Sequence, residues 1–295
     1  MFPDGFWGAP EWRQRRLPAE ILAAMIGLET RRILRIRHKV RARPGLPRPD
    51  LPWTFSDLGV GTLAALPFLG LAFGLLFQEM RVWMDQPEGL GGMLTDVSTL
   101  HLILGTALAT DLAASAVVLY RGRVRHGLTW SQMGFWFPGP REAFVRPLLW
   151  IGGFLLFEVC YERILAWQGV SLASQLLADL IGTSRAPGDR LFVVLTAGIL
   201  LPVLEELLFR GFLFPLFTRY VGLGWGMAIS TFLFAVAHLE PQPGGWIQNA
   251  LGLPLFLLLG FLLCRLFQRS GSLLPAMVAH AANNLLLVLM LLRRA

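Results

Sequence analysis

Seven apolar segments dominate this chain: residues 58–78, 99–120, 144–166, 190–218, 222–239, 247–268 and 273–292. Each approaches the ~20 residues needed to cross a bilayer as a helix. Lipid offers no hydrogen bonds to a backbone, so each segment has to satisfy its own polar groups, and a helix does so internally. The expected fold class is therefore all-α: a polytopic transmembrane bundle of about seven to eight spans. A chain that is 55% hydrophobic and 15% charged, with mean hydropathy +0.57, is not an ordinary soluble domain. The run at 171–181 is too short to span and reads as a surface helix. No internal repeat is visible, which argues against a transporter built from inverted halves.

The first 50 residues differ in kind. Eleven Arg or Lys face five acids there, so the net charge of +7 is concentrated before the first span. Leu17 to Val40 can form an amphipathic helix, with Ile21, Leu22, Met25, Leu28, Ile33 and Ile36 apolar and Arg31, Arg32, Arg35, Arg37 and Lys39 basic. Such a helix lies at the interface and meets anionic lipid headgroups; a plain solvated tail is the alternative, and nucleic acid is not an expected partner. Pro44, Pro47, Pro49 and Pro52 form a stiff connector. The start lacks the pattern of a cleavable signal peptide.

Loop charges orient the bundle. The 79–98 loop holds Glu79, Asp85, Glu88 and Asp96 against Arg81, while Arg121, Arg123, Arg125, Arg141, Arg219 and Arg269 fall in later loops. The positive-inside rule puts the N-terminus and those later loops in the cytoplasm. Arg293 and Arg294 then fall outside, so either the rule fails there or one span is miscounted. Cys160 and Cys264 sit in apolar runs and read as core residues rather than a disulfide.

Charged groups inside such segments are costly and mark function. Glu205, Glu206 and Arg210 share the fourth segment, just after Pro202, which loosens local hydrogen bonding. Glu206 and Arg210 are four apart and share a helix face, so Glu206 takes a structural or tuning role. Glu205 points about 100° away, without a same-helix partner, and suits a general base. The competing reading makes both acids counter-ions to Arg210. Phe234 lies one turn before His238 and packs beside it; His280 and Asn284 share another face. Histidine can position water or bind metal, and asparagine can donate to a developing oxyanion. Asn283 reads as a helix–helix hydrogen-bonding group. Together these groups form a water-activating site within the bilayer, open toward the cytoplasm. Asp111 and His101 on the second segment are weaker candidates for the same cavity. Glu158 and Glu162 are a like-charged pair, with Glu162 able to pair with Arg163. Arg265 snorkels.

The order Glu205-Glu206-x-x-x-Arg210, Phe234-x-x-x-His238, His280-x-x-x-Asn284 resembles the CPBP family, also called ABI, which includes the type II CAAX prenyl endopeptidases. The resemblance covers roughly residues 125–292, and Gly127-Leu128-Thr129-Trp130-Ser131 through Gly134-Phe135 is similar to the segment that often precedes that domain. It implies a catalytic membrane domain at 123–295, which leaves the basic amphipathic cytoplasmic leader at 1–55 and two accessory transmembrane helices in 56–122 outside the family core. The implied activity is intramembrane proteolysis, in which Glu205 and His238 activate water, His280 and Asn284 stabilise the oxyanion, Glu206 and Arg210 support, and Phe234 is a candidate substrate contact. No cofactor is favoured; a zinc ion, if bound, would sit on Glu205, His238 and His280. Lys39 is the sole lysine, which points to a GC-rich prokaryotic genome and to the inner membrane. A peptide or membrane-anchored protein is then a better substrate expectation than a prenylated one. The alternatives are a non-catalytic scaffold or bacteriocin self-immunity protein, and a small transporter with a proton-linked glutamate.

Overall fold

A computed structural model describes residues 51–67, 70, 97–169, 181, 186–239 and 246–294. Among these residues every element is helical. α1 covers residues 55–67, α2 Val97–Arg125, α3 Arg141–Trp167, α4 Pro187–Val221, α5 Leu223–Ala237, α6 Trp246–Ser270 and α7 Leu274–Arg294. Five of them, α2, α3, α4, α6 and α7, are long and apolar enough to cross a membrane. The expected first span is helical over 55–67; its remainder, the amphipathic leader and most of the 171–181 run lie outside the described residues.

The apolar run at 222–239 forms a shorter helix than its length suggests. α5 has 15 residues, which reach roughly 22 Å against the ~30 Å of hydrocarbon. It starts one residue after α4, at Gly222, whose φ of 84° is a glycine conformation. It stops at His238 (φ −97°, ψ 1°).

α4 is the central element. Ala186 is extended before it, Pro187 opens it, and Asp189 sits in its first turn, the arrangement favoured at helix N-termini. Its course is not uniform: wide π-helical turns occupy Thr196–Leu200 and Leu207–Leu213. Each ends two residues before a proline, Pro202 or Pro215, and the π turn Arg141–Val145 likewise precedes Pro147 in α3. Proline donates no N–H and its ring presses on the preceding turn, which widening relieves. Glu205 and Glu206 lie on the short α-helical stretch Leu201–Glu206 between the two wide turns of α4. α5 packs back on the end of α4 at Gly226, where a Cβ would lie 2.6 Å from the Thr218 backbone nitrogen.

The arginine-bearing turns gather at one end of the bundle. Leu273 N–H donates to Gly134 O (2.9 Å), Trp136 Nε1 to Gly271 O (2.9 Å) and Ser272 Oγ to Trp136 O (2.6 Å), joining the α2–α3 connection to the α6–α7 turn. Arg219 Nη1 reaches Trp53 O at 3.5 Å, which adds the α4–α5 turn and the approach to α1. Large side chains such as Leu63, Leu149, Leu156, Trp167, Trp225 and Met290 are exposed; on helices of this hydropathy they face lipid. Cys264 is buried but Cys160 is exposed, so the core reading holds for the first and not the second.

The same end holds a buried clasp that the sequence reading missed. Thr54 caps α1, and the Asp57 carboxylate accepts from Thr54 N–H (2.8 Å), Thr54 Oγ1 (2.7 Å), Arg121 Nε and His126 Nε2 (3.0 Å). Thr-x-x-Asp ahead of an apolar run is a capping-box signature. The clasp pins α1 to the end of α2 before the apolar run begins. Burial alone would push the Asp57 carboxyl up; donation from His126, Thr54 and Arg121 outweighs it and holds the group well below the ordinary value of 3.8. A depressed folded value means the clasp stabilises fully above that ordinary value and is lost as pH falls below it. Asp57→Asn should therefore cost about 1.5–3 kcal/mol at neutral pH. Thermal unfolding of wild type and variant from neutral pH into acid should show the gap closing below about pH 4; a gap that persists into acid would count against the clasp.

Candidate active site

Glu205, His238 and His280 are brought together from α4, the end of α5 and α7. Glu205 Oε2 lies 3.5 Å from His238 Nε2 and 3.8 Å from His280 Nε2. One ligand atom from each of the three falls within 4.8 Å of the others. His280 is fully buried, whereas Glu205 and His238 remain about one-fifth exposed.

The far side of each ring fixes its tautomer. His238 Nδ1 is 2.8 Å from Phe234 O; a carbonyl only accepts, so Nδ1 carries the proton. His280 Nδ1 is 2.9 Å from Glu206 Oε1, which also accepts from Arg210 Nη1 at 2.5 Å. A carboxylate paired with arginine is an acceptor, so His280 Nδ1 donates. In the neutral rings both Nε2 atoms therefore present lone pairs toward Glu205 Oε2. Among the described residues, neither Glu205 Oε2 nor His280 Nε2 has a hydrogen-bond partner. Three acceptors converge on a space whose natural occupant is a hydrogen donor or a cation.

Behind them lies a buried shell. Glu206 and Arg210 are both 0% exposed. Arg210 also donates through Nη2 to Gly260 O (3.1 Å) and places its guanidinium carbon 4.3 Å from the Phe234 ring centroid. The Phe234 ring lies 4.2 Å from the His238 ring and 5.4 Å from that of His280. Phe234 is fully buried and so backs both histidines instead of facing the cavity as a substrate contact would.

Asn284 has a specific local duty. Leu201 N–H donates to Thr196 O across the wide turn, so continuing that register would require an N–H from Pro202 to serve Ala197 O. Pro202 has none, and Asn284 Nδ2 reaches Ala197 O instead, at 3.3 Å. Asn283 Nδ2 lies 3.4 Å from Asn284 Oδ1.

Two of the three convergent groups border a cavity of about 460 Å³ between α1, α2, α4 and α5. Its walls are apolar: Leu58, Ala107, Val118, Leu201, Leu208 and Phe212 among them. Glu205 and His238 line it, and so does Asp111 from α2. Along α2 the lining runs from Ala107 to Val118, roughly 16 Å, ending one turn from the arginine-bearing end. His101 does not line it; that ring lies 3.3 Å from Asp189 Oδ1 at the start of α4. Glu162 makes no ion pair with Arg163 among the described residues, and Arg265 bonds Gln268. The sequence reading treated α1 and α2 as accessory, but both are walls of the cavity. Small residues at helical spacing, Gly61 and Ala65 on α1 and Ala107 and Ala114 on α2, were the available signal.

The fold and the site define a helical membrane protein with a glutamate and a histidine lining an apolar cleft and a second histidine close beside them. Residues 187–286 match the family model described as type II CAAX prenyl endopeptidase, Rce1-like. The matched segment holds all three motifs, and the family resemblance read from them is the one this match carries. Over 135 residues the chain is 32% identical to a 24.3 kDa protein of Escherichia coli that is itself described as uncharacterized. That alignment covers 45% of this chain and 55% of the relative. No solved structure matches the chain.

Proposed function

We propose that this protein is an intramembrane endopeptidase that hydrolyses a peptide bond in a peptide or membrane-anchored protein. One observation carries the reading: the unpartnered Glu205 Oε2 faces two histidine Nε2 atoms at the edge of an apolar cavity. A water placed between them has its proton taken by Glu205, with His238 Nε2 accepting the other hydrogen and so orienting it. Its oxygen adds to the scissile carbonyl. Donation from His280 to the resulting oxyanion requires a second proton on that ring, at Nε2, and Glu205 is the neighbour that can pass one on. Collapse of the tetrahedral intermediate then breaks the C–N bond, and the same proton, returned through Glu205, goes to the leaving nitrogen, so that acid and amine depart with Glu205 and His280 restored. Glu206 and Arg210 hold His280 in place. Asn284 reinforces the wide turn just before the stretch that carries Glu205, and its second amide hydrogen is the oxyanion donor.

The three groups also fit a zinc ion. Both inward nitrogens carry lone pairs, and each ring's other nitrogen is tied to a carbonyl or carboxylate, as in metal-ligating histidines. Glu205, His238 and His280 would hold it, and it would supply a Lewis acid for water and carbonyl.

The test is cleavage by the purified protein in nanodiscs, using lipid-anchored peptides with and without a prenyl group, run in H₂¹⁸O. Expected is a product whose new C-terminus carries one ¹⁸O. Metal analysis and chelator treatment of the same sample separate the metal-free route from the zinc route. A folded protein that cleaves none of these peptides would leave the scaffold reading in its place.

A further inference from the structure

Asp111 has no part in the hydrolysis just described, yet it faces the same cavity from the opposite wall. It lies near the middle of α2, about 14 residues from either end of Val97–Arg125. No ion pair or side-chain hydrogen bond holds it among the described residues. A carboxylate at such depth is costly unless a partner offsets it. The cavity lining supplies two carboxylates, Asp111 and Glu205, one histidine, and neither lysine nor arginine. Arg210, the nearest arginine on α4, is fully buried and committed to Glu206 and Gly260. Next to Glu205, though not itself lining the cavity, the fully buried His280 Nε2 is a further unpartnered acceptor, 3.8 Å from Glu205 Oε2. The wall is thus built of acceptors and apolar carbon, and the missing partner is a cation.

Resting on the endopeptidase reading, we propose that Asp111 recognises a lysine or arginine side chain of the substrate, seated in the cleft beside the bond that Glu205 attacks. The cleft suits such a residue: an aliphatic stem runs along Ala107, Ala114 and Leu208 while the charged head meets the carboxylate. The assignment makes α2, which lies outside the segment matching the endopeptidase family, the specificity-determining wall. Asp111 then selects the substrate and Glu205 hydrolyses it.

The experiment separates selection from hydrolysis. Two dansyl-labelled apolar peptides, identical except for a lysine or a norleucine at one position, are titrated onto the full chain carrying E205Q. The nanodiscs contain phosphatidylcholine and phosphatidylglycerol, so no lipid amine competes. Expected is roughly tenfold tighter binding of the lysine peptide, the scale of one charge-assisted hydrogen bond. That preference should vanish in E205Q/D111N and persist in E205Q/D111E. Equal binding of the two peptides to E205Q, or a preference that survives D111N, would overturn the assignment. Failure of the unmodified protein to cleave any peptide would instead remove the endopeptidase reading, since the binding ratio is measured independently of turnover.

Discussion

Glu205→Gln should lower peptide hydrolysis by about 10²–10⁴-fold while leaving the protein as stable as before, or more stable. The activity loss follows from the amide's inability to take a proton from water. The stability expectation follows from what faces Glu205. Its Oε2 looks at two histidine nitrogens that both carry lone pairs, 3.5 and 3.8 Å away. Acceptor against acceptor is unfavourable without a bound donor. A glutamine keeps the volume and offers an NH₂ that can donate to either ring. Binding sites of this kind often trade stability for function. Turnover and thermal midpoint measured on one preparation decide the matter. If Glu205 were a counter-ion of Arg210, the midpoint would fall. The structure gives Arg210 a different carboxylate, Glu206 at 2.5 Å, so a fall is not expected. A variant that still turned over near the wild-type rate would end the case for Glu205 as the base.

Apolar run length and intramembrane charge were enough to read the helices and the polar set from sequence. The spacing of Glu206 and Arg210 gave their pairing, because a helix face is a local property. The spacing of His280 and Asn284 gave a shared face but not their separate partners, Glu206 and Ala197. The second depends on which carbonyl Pro202 leaves without a donor, and hence on where α4 widens; the first depends on how α7 packs against α4. The apolar run at 222–239 did not show where its helix stops: α5 is only 15 residues long and ends just before His238. The cavity was the least legible part. Its walls come from α1 and α2, distant in sequence from the motifs, and only the packing of α2 against α4 puts Asp111 across from Glu205. Asp57 was missed for a different reason. Its capping signature was present, but the partners that bury it, Arg121 and His126, lie 64 and 69 residues away.

The Glu206–Arg210 pair gives the second large effect, and it falls on stability and activity together. Both side chains are 0% exposed, so neither can turn to water when its partner is lost. Arg210→Met should cost about 3–5 kcal/mol, the scale for leaving one member of a buried pair uncompensated. It removes the donor to Gly260 O and the cation beside Phe234 as well. Glu206 would keep His280 Nδ1 as its one charged-site donor, and the ring would shift to serve it, carrying Nε2 away from Glu205. Glu206→Gln approaches the same shell from the other side: the arginine is stranded and His280 loses the anion that fixes its tautomer. The informative variant is the double one, Glu206→Met with Arg210→Met. With no charge left to strand, much of the lost stability should return, because apolar replacement of a buried pair is often neutral. Activity should not return, because His280 Nδ1 then has no acceptor. A double-mutant cycle on thermal midpoint and on turnover therefore gives opposite signs for recovery. Recovery of both would mean that the pair only supports the bundle; recovery of stability alone assigns it the placement of His280.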